Sequence, residues 1–486
     1  MSDYLYDKKD PEDILRYAKS LKNKSFYDVL KNNFSDEILR EKIKYYNNPK
    51  GKGSLGELLE EHFFYYKPNS ESQPDFLEAH TELKVTPYEI NKNGSLRAGE
   101  RLVITMIPNN EPIDMDFYKS KLIEKIELIL LILYKRDRSV SRVDYKIDYV
   151  TLFSILSDNC KDDLNVIIND YNTIVDKIVH GKAHELSEAD TKYLGACTKG
   201  ATEATMWQPQ YYGDALAKRR AFSLKQSYMT YVINHYILNG ISTYDSIFKS
   251  GEPKGKNFDI EVVNKIRVFI GKTEEELCNI FRVKKTAKNR NNLIVCRMLG
   301  VKTDNALEFE KAGIQIKTIR LQRNGKPKES MSFPPIKIKN FIEEDFETSL
   351  LYKYFSETRF LFVILEENEK GQYVLLNAKF WNMPITELET KGKEDWLKYR
   401  NKFIDGINFT IDKNTNGEIR ITNDLPKKTE TNIFHLRPHA AKSYYVISGI
   451  EYGNGKTEDS DLLPNGDKMV KQSFWLNNDY VAKIAK

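Results

Sequence analysis

The sequence predicts a mixed α/β protein made of two successive domains with a similar plan. Helical segments alternate with short strand patterns and polar turns, which favours small sheets flanked by helices. The 486 residues exceed a typical single domain, and 40% apolar residues supply enough side chains for two or three cores. Segments of the first half also recur in the same order in the second, which indicates a repeated architecture.

Helices and strands are predicted from the spacing of apolar residues. Residues 1–50 have helical spacing, and a further helix is expected from Ser54, its N-cap, to about Phe64. Strands are expected at 79–86 and 101–107. The apolar run at 126–134 is too short to cross a bilayer and predicts a buried strand or core helix. Further helices are predicted at 164–179, 185–194 and 222–238.

The domain boundary is predicted at residues 250–258. This stretch contains Ser, Gly, Pro and Lys in close succession, a composition typical of a linker. The first domain is therefore expected at residues 1–249 and the second at 259–486.

The charge balance and the cysteines indicate the kind of partner and the compartment to expect. A net charge of +5 and a pI near 8.6 fit a polyanionic partner. The four cysteines are widely separated and lack the spacing of a metal site, and no secretory signal is evident. The expectation is a cytoplasmic protein with reduced thiols and no membrane segment.

Two carboxylates and a lysine stand close together near residue 80. In a strand, Glu82 and Lys84 share a face, and Asp75 can reach that face from the preceding turn. Such a set suits hydrolysis of a phosphodiester with Mg²⁺. Glu60 is either an ordinary polar-face residue of its helix or a third carboxylate at this site. Because 30% of the residues are charged, a solvated surface is the alternative for the whole set.

Two polar stretches, at residues 181–200 and 217–225, place basic residues beside Ser and Thr at predicted helix starts. This pattern suits contacts to phosphates and bases. The alternative for each residue is a solvated helix face.

The second half repeats the first with substitutions at the acidic positions. Residues 76–85 align without gaps on 309–318, which places Glu308 at Asp75, Gln315 at Glu82 and Lys317 at Lys84. Upstream, 52–60 align on 288–296, with Cys296 at Glu60. Downstream, 434–440 correspond to 193–200 and 471–480 to 220–231.

These substitutions have a chemical consequence. A neutral amide is a poorer partner for a divalent cation than a carboxylate, and a thiol is unsuited to Mg²⁺. The second half is therefore expected to bind the same kind of partner without cutting it. The alternative is two unrelated strands that look alike by chance, which the shared order of four segments opposes.

The motif Lys52-Gly53-x-x-Gly56-x-x-x-Glu60, followed by Pro74-Asp75 and Glu82-Leu83-Lys84, resembles the PD-(D/E)XK nuclease core of the MutH family. The tandem arrangement resembles the GATC-specific type II restriction endonucleases of this family. In those enzymes a catalytic MutH-like domain precedes a catalytically silent one. The resemblance covers nearly the whole chain and implies two PD-(D/E)XK domains, the second degenerate.

The resemblance implies roles for individual residues. Asp75, Glu82 and the carbonyl of Leu83 would coordinate Mg²⁺, with Glu60 as a further carboxylate, and Lys84 would position the attacking water. Lys199 falls at a base-reading position, although Cys197 stands where the single-domain relative has arginine. Implied DNA contacts are Lys52, Gly53, Lys121 (a supporting lysine), Lys199, Lys225, Lys317, Arg437 and His439.

The function implied is a Mg²⁺-dependent endonuclease that makes double-strand breaks at a short site, expected to be GATC, and leaves a 5′-phosphate. The silent domain would bind a second copy of the site as an effector, or replace a dimer partner. A DNA-induced homodimer is a further expectation. The alternatives are a non-cleaving DNA-binding or regulatory protein on a nuclease fold, and a methyl-directed nicking repair endonuclease, whose family member has a single domain.

Overall fold

The computed structural model describes residues 5–48, 54–67, 73–92, 94–200, 203–240, 244–248, 258–413 and 419–486, with only the backbone of residues 203 and 204. The predicted linker, Lys52 and Gly53 lie largely or wholly outside the described residues. The chain forms two compact units, Met1–Lys256 with Asn305–Gly313, and Asn257–Asp304 with Ile314–Lys486.

In the described part of the first 256 residues, the helices are α1 Pro11–Ala18, α2 Phe26–Asn33, α3 Asp36–Asn47, α4 Leu55–His62, α5 Lys121–Ile126, α6 Lys161–Val179, α7 Glu203–Met206 and α8 Gln226–Tyr231. The strands are β1 Glu82–Ile90, β2 Leu96–Ala98, β3 Leu102–Met106, β4 Ile129–Lys135, β5 Ile147–Phe153, β6 Leu194–Thr198, β7 Trp207–Gln208, β8 Ala217–Lys218 and β9 Arg220–Leu224.

From residue 258 onward, the helices are α9 Phe258–Arg267, α10 Glu274–Phe281, α11 Arg290–Met298, α12 Leu307–Ala312, α13 Ile338–Glu343, α14 Leu350–Glu357, α15 Ile385–Glu387, α16 Lys393–Asp405 and α17 Asn478–Ala485. The strands are β10 Gln315–Leu321, β11 Met331–Pro335, β12 Phe360–Glu367, β13 Tyr373–Trp381, β14 Phe409–Lys413, β15 Ile419–Asn423, β16 Phe434–Pro438, β17 Tyr445–Ile447, β18 Ile450–Tyr452, β19 Ser460–Leu462, β20 Lys468–Val470 and β21 Gln472–Leu476.

The sheet of the first unit that carries the acidic stretch has the order β2-β1-β4-β5. β1 runs parallel to β4, and β4 pairs antiparallel with β5. The predicted apolar run supplies β4, whose residues Ile129–Leu133 are fully buried, as expected for the centre of a covered sheet. A second, antiparallel sheet has the order β3-β9-β6.

Two sheets of the second unit follow the same plan, although the mixed sheet has three strands here and four in the first unit. β10 runs parallel to β12, which pairs antiparallel with β13, and a separate antiparallel sheet has the order β11-β21-β16. The registers also match, because Glu82 pairs with Ile129 and Gln315 with Phe360, in each case the first residues of both strands. The prediction of two mixed α/β domains of one plan is confirmed.

Some predicted elements were wrong. Residues 185–194 form short 3₁₀ turns and the start of β6 instead of a helix, and 222–224 belong to β9. The error at 222–224 arises because β9 is the central strand of its sheet and is buried throughout, so the run has no diagnostic period. At 185–194 the chain is instead held by Asp170, which accepts hydrogen bonds from the amides of residues 192–194. None of the helices in the described part of the chain is long and apolar enough to cross a membrane.

Candidate active site

Helix α4 presents Glu60 to the start of β1. Ser54 and Glu57 cap the helix reciprocally, with Ser54 Oγ 3.0 Å from the Glu57 amide nitrogen and Glu57 Oε2 3.2 Å from that of Ser54. A side chain at Gly56 would lie 3.3 Å from Ser54 Oγ and 3.9 Å from Val85 of β1. Gly56 thus faces β1 within van der Waals distance, and the half-buried Glu60 lies one turn further along α4, toward the other acids.

Asp75 and Glu82 meet at the first residues of β1. Asp75 Oδ2 accepts a hydrogen bond of 2.9 Å from the Leu83 amide, which holds the carboxylate against the strand. Glu82 is only 2% exposed, and its Oε1 accepts from Lys84 Nζ at 2.7 Å. Its Oε2 is buried with no hydrogen-bond partner among the described residues. One carboxylate oxygen of Glu82 is thus free for a further ligand.

The acids raise one another's pKa. Burial and the nearby Glu82 raise the pKa of Asp75 to about 6, against the opposing effects of Lys84 and the Leu83 amide. Burial and the charge of Asp75 raise the pKa of Glu60 to about 7. Lys84 offsets both shifts only in part, and a cation bound beside these carboxylates would lower both pKa values.

Two residues at this site were missed from the sequence. Lys125 of α5 lies with its Nζ 3.3 Å from Glu82 Oε1 and is buried, whereas the predicted Lys121, one turn earlier, is exposed. Tyr66 has a buried hydroxyl without a partner among the described residues. Burial, then Asp75, Glu60 and Glu82, raise its pKa. The signal available in the sequence was the apolar face of this helix, because Leu122, Ile123 and Ile126 lie on the same side as Lys125.

The acidic residues fit a divalent cation in chemistry but are not preassembled around one. Among the described residues, no group of three or more His, Cys, Asp or Glu side chains is arranged to hold a metal ion. Glu82 Oε2 nevertheless has no hydrogen-bond partner among the described residues, and the pKa values of Asp75 and Glu60 are raised. A cation bound to these oxygen atoms would stabilise their charged forms. Oxygen donors of this kind suit Mg²⁺.

The corresponding positions of the second half are used differently. Gln315 Oε1 accepts from the Tyr354 hydroxyl at 2.5 Å, and Cys296 is fully buried, which raises its pKa to about 11. Glu308 belongs to the first unit, where it accepts from Ser246 Oγ at 2.5 Å and the Ile247 amide at 3.0 Å. Only Lys317 keeps the residue type of its counterpart.

The predicted DNA contacts differ in how exposed their side chains are. Arg437 and His439 are exposed beside Trp475, with the Arg437 guanidinium 5.0 Å and the His439 ring 5.9 Å from the Trp475 ring. Lys199 is half-buried. Lys225 is only 5% exposed and donates to the Thr191 carbonyl, so it has a structural role and is not retained as a DNA contact.

Comparison with known proteins agrees with this arrangement. The sequence model of the family described as DNA mismatch repair enzyme MutH matches residues 64–170 and 299–392, one segment in each half. The type II restriction enzyme Sau3AI of Staphylococcus aureus is 34% identical over 457 residues, which cover 89% of this chain and 92% of that enzyme. The chain therefore belongs to the MutH-like type II restriction endonucleases, which are site-specific deoxyribonucleases.

Proposed function

We propose that this endonuclease cuts both strands of DNA at GATC with Mg²⁺ and leaves a 5′-phosphate. The observation that carries the proposal is the gathering of Asp75, Glu82 and Lys84 at the start of β1, with Glu60 directed at them from α4. The relationship to Sau3AI supports it and disfavours the non-cleaving alternative. The proposed catalytic domain is residues 1–249 and the silent domain residues 259–486.

Each side chain has a role that its position supports. Asp75, Glu82 and the carbonyl of Leu83 would hold Mg²⁺, and Glu60 would add a carboxylate directly or through water. A bound Mg²⁺ supplies polarisation of the phosphate and a lower pKa for water. Lys84, whose Nζ lies 2.7 Å from Glu82 Oε1, orients the attacking water. A bond forms between the water oxygen and phosphorus as the water gives up a proton to solvent, the P–O3′ bond breaks, and the 3′ oxygen takes a proton from solvent, so that one water molecule is consumed.

The second domain binds DNA without cutting, since Gln315 and Cys296 replace two of the acids. It engages a second copy of the site, either as an effector or as a DNA clamp, and a homodimer formed on DNA brings a second catalytic centre to the other strand. Exposed Arg437 beside Trp475 supports base reading here, and Lys199 does so in the first domain.

The experiment is incubation of the purified protein with plasmid and Mg²⁺, followed by sequencing of the ends. We expect linear products with 5′-phosphates at GATC, and no products in EDTA. Nicked circles alone would favour the repair-type alternative, and ends at other sequences would refute the GATC assignment.

A further inference from the structure

The counterpart of the acidic site in the second unit is an open, strongly basic cavity of about 510 Å³. It lies between the start of α11 and β10. Its cationic lining residues are Lys285, Lys288, Arg290, Lys317 and Arg320. Its location corresponds to that of the acidic cluster, because α11 packs on β10 as α4 packs on β1, and Lys317 has the register of Lys84.

The cations of this cavity are incompletely neutralised. Arg320 donates to Glu274 Oε1 at 3.0 and 2.8 Å, with Glu329 3.7 Å away on its other side. Arg290 lies 3.6 Å from the same Glu274 oxygen. In addition, Lys285 pairs with Glu275 at 2.5 Å. Among the described residues, three carboxylates thus pair with these five cations, which leaves a surplus of two positive charges.

Lys317 contributes to this surplus of positive charge and differs in its pairing from Lys84, its counterpart in the first unit. Lys84 has Glu82 at 2.7 Å, whereas Lys317 has no carboxylate within ion-pair distance among the described residues. Its Nζ lies 5.6 Å from the centre of the Phe333 ring. Burial lowers the pKa of Lys317, as expected for an ammonium group without a counter-ion. An incoming anion would relieve that cost.

The helix that borders the cavity adds to its preference for anions. α11 has nine residues, and its N-cap Asn289 makes no side-chain capping hydrogen bond. The first amide groups of a helix carry partial positive charge and favour an anion, and here they lie beside exposed Lys288.

We propose that this cavity is an anion site that takes a backbone phosphate of duplex DNA directly, without a divalent cation. The proposal rests on the proposed function and deepens it. The catalytic half recruits a metal between acids and phosphate, whereas the silent half substitutes lysine and arginine side chains for that metal. DNA held in this way has no metal-activated water beside it, so it is bound and not cut.

The test is DNA affinity in EDTA, measured by fluorescence anisotropy with a labelled duplex containing GATC. We expect Lys317→Met and Lys288→Met each to weaken binding about tenfold, the loss of one charge-assisted contact. Each should also reduce the dependence of log affinity on log salt by about 1. The exposed Lys370, which does not line the cavity, provides the charge-matched control Lys370→Met.

A second arm distinguishes DNA from free phosphate. The thermal unfolding of the wild type and of Lys288→Met is measured at increasing concentrations of inorganic phosphate. Lys288 is exposed, so its replacement should not disturb folding, and a loss of stabilisation by phosphate in this variant would reflect lost binding. Unchanged duplex affinity in both cavity variants would overturn the proposal, and stabilisation by phosphate would then assign the cavity to the free anion. Cleavage of plasmid by the wild type with Mg²⁺ is scored separately, so the proposed function can stand while this inference fails.

Discussion

The two halves of the molecule share a scaffold but differ in the charge of one site. In the first half, Asp170 of α6 accepts hydrogen bonds from the consecutive amides of residues 192–194. In the second, Asp395 of α16 accepts from the amides of residues 432–434. Both buried aspartates therefore fix the chain at the entry to an edge strand of the antiparallel sheet, β6 or β16. Interactions that hold the fold recur in both halves.

The side chains at the start of β1 and β10 do not recur in the same way. Glu60, Asp75 and Glu82 surround the first strand, whereas basic residues surround the second. Charges at a ligand site contribute little to the sheet that carries them, so they can change sign while the strands keep their register. Two halves with one fold thus carry sites of opposite charge, so the fold alone does not determine the chemistry of a half.

The largest expected effect is loss of cleavage in Glu82→Ala. A metal ligand is worth several kcal/mol of transition-state stabilisation, so the rate should fall on the order of 10³-fold or more. Single-turnover cleavage with Mg²⁺ measures this, and DNA binding with Ca²⁺ in its place should be largely retained. Gln315→Ala is the matched control and should leave the chemical step intact. Persistent cutting by Glu82→Ala would remove Glu82 from the active site.

The shared scaffold predicts equal losses of stability in Asp170→Ala and Asp395→Ala. Each variant leaves three backbone N–H groups without their acceptor, and each of the two that belong to buried residues costs about 1–3 kcal/mol. Urea denaturation should therefore show a loss of at least about 2 kcal/mol in the unit concerned. A large loss in one variant and almost none in the other would break the structural equivalence of the halves.

A smaller catalytic effect is expected for Lys125→Met. Its ammonium lies 3.3 Å from Glu82 Oε1, so its removal misplaces that carboxylate and should slow cleavage about 10²-fold. Lys121→Met, on the exposed side of the same helix, should leave the single-turnover rate unchanged. Since Lys125 acts through Glu82, the expected signature is a raised Mg²⁺ requirement. A lower maximal cleavage rate with an unchanged Mg²⁺ requirement would contradict the prediction that Lys125 positions Glu82.

The smallest expected effect concerns recognition in the second half. Arg437→Ala should weaken binding to a GATC duplex by about 1–3 kcal/mol if the guanidinium contacts a base in two places. Competition between specific and scrambled duplexes measures it. A uniform loss on all sequences would identify Arg437 as a phosphate contact. The wild-type fold should persist, since Arg437 is exposed.

The amino-acid sequence by itself determined the tandem α/β plan and the pairing of Glu82 with Lys84, because these follow from local periodicity and from residues two positions apart on one strand. The alternation along β1 and the capping of α4 by Ser54 are equally local. Helix or strand at 222–224 was not decided locally, since burial on all sides removes the periodic signal. At 185–194 the conformation depends on hydrogen bonds to the distant Asp170.

Only the tertiary structure decided which distant groups reach the two sites. Lys125 contacts Glu82 across 43 residues of chain, and Asn305–Gly313 is counted with the first unit although the sequence groups it with the second half. The basic cavity likewise requires residues 285–290 and 317–320 to be brought together. Such contacts depend on how helices pack on sheets, where the free energy comes from burial summed over many residues and leaves no short sequence pattern.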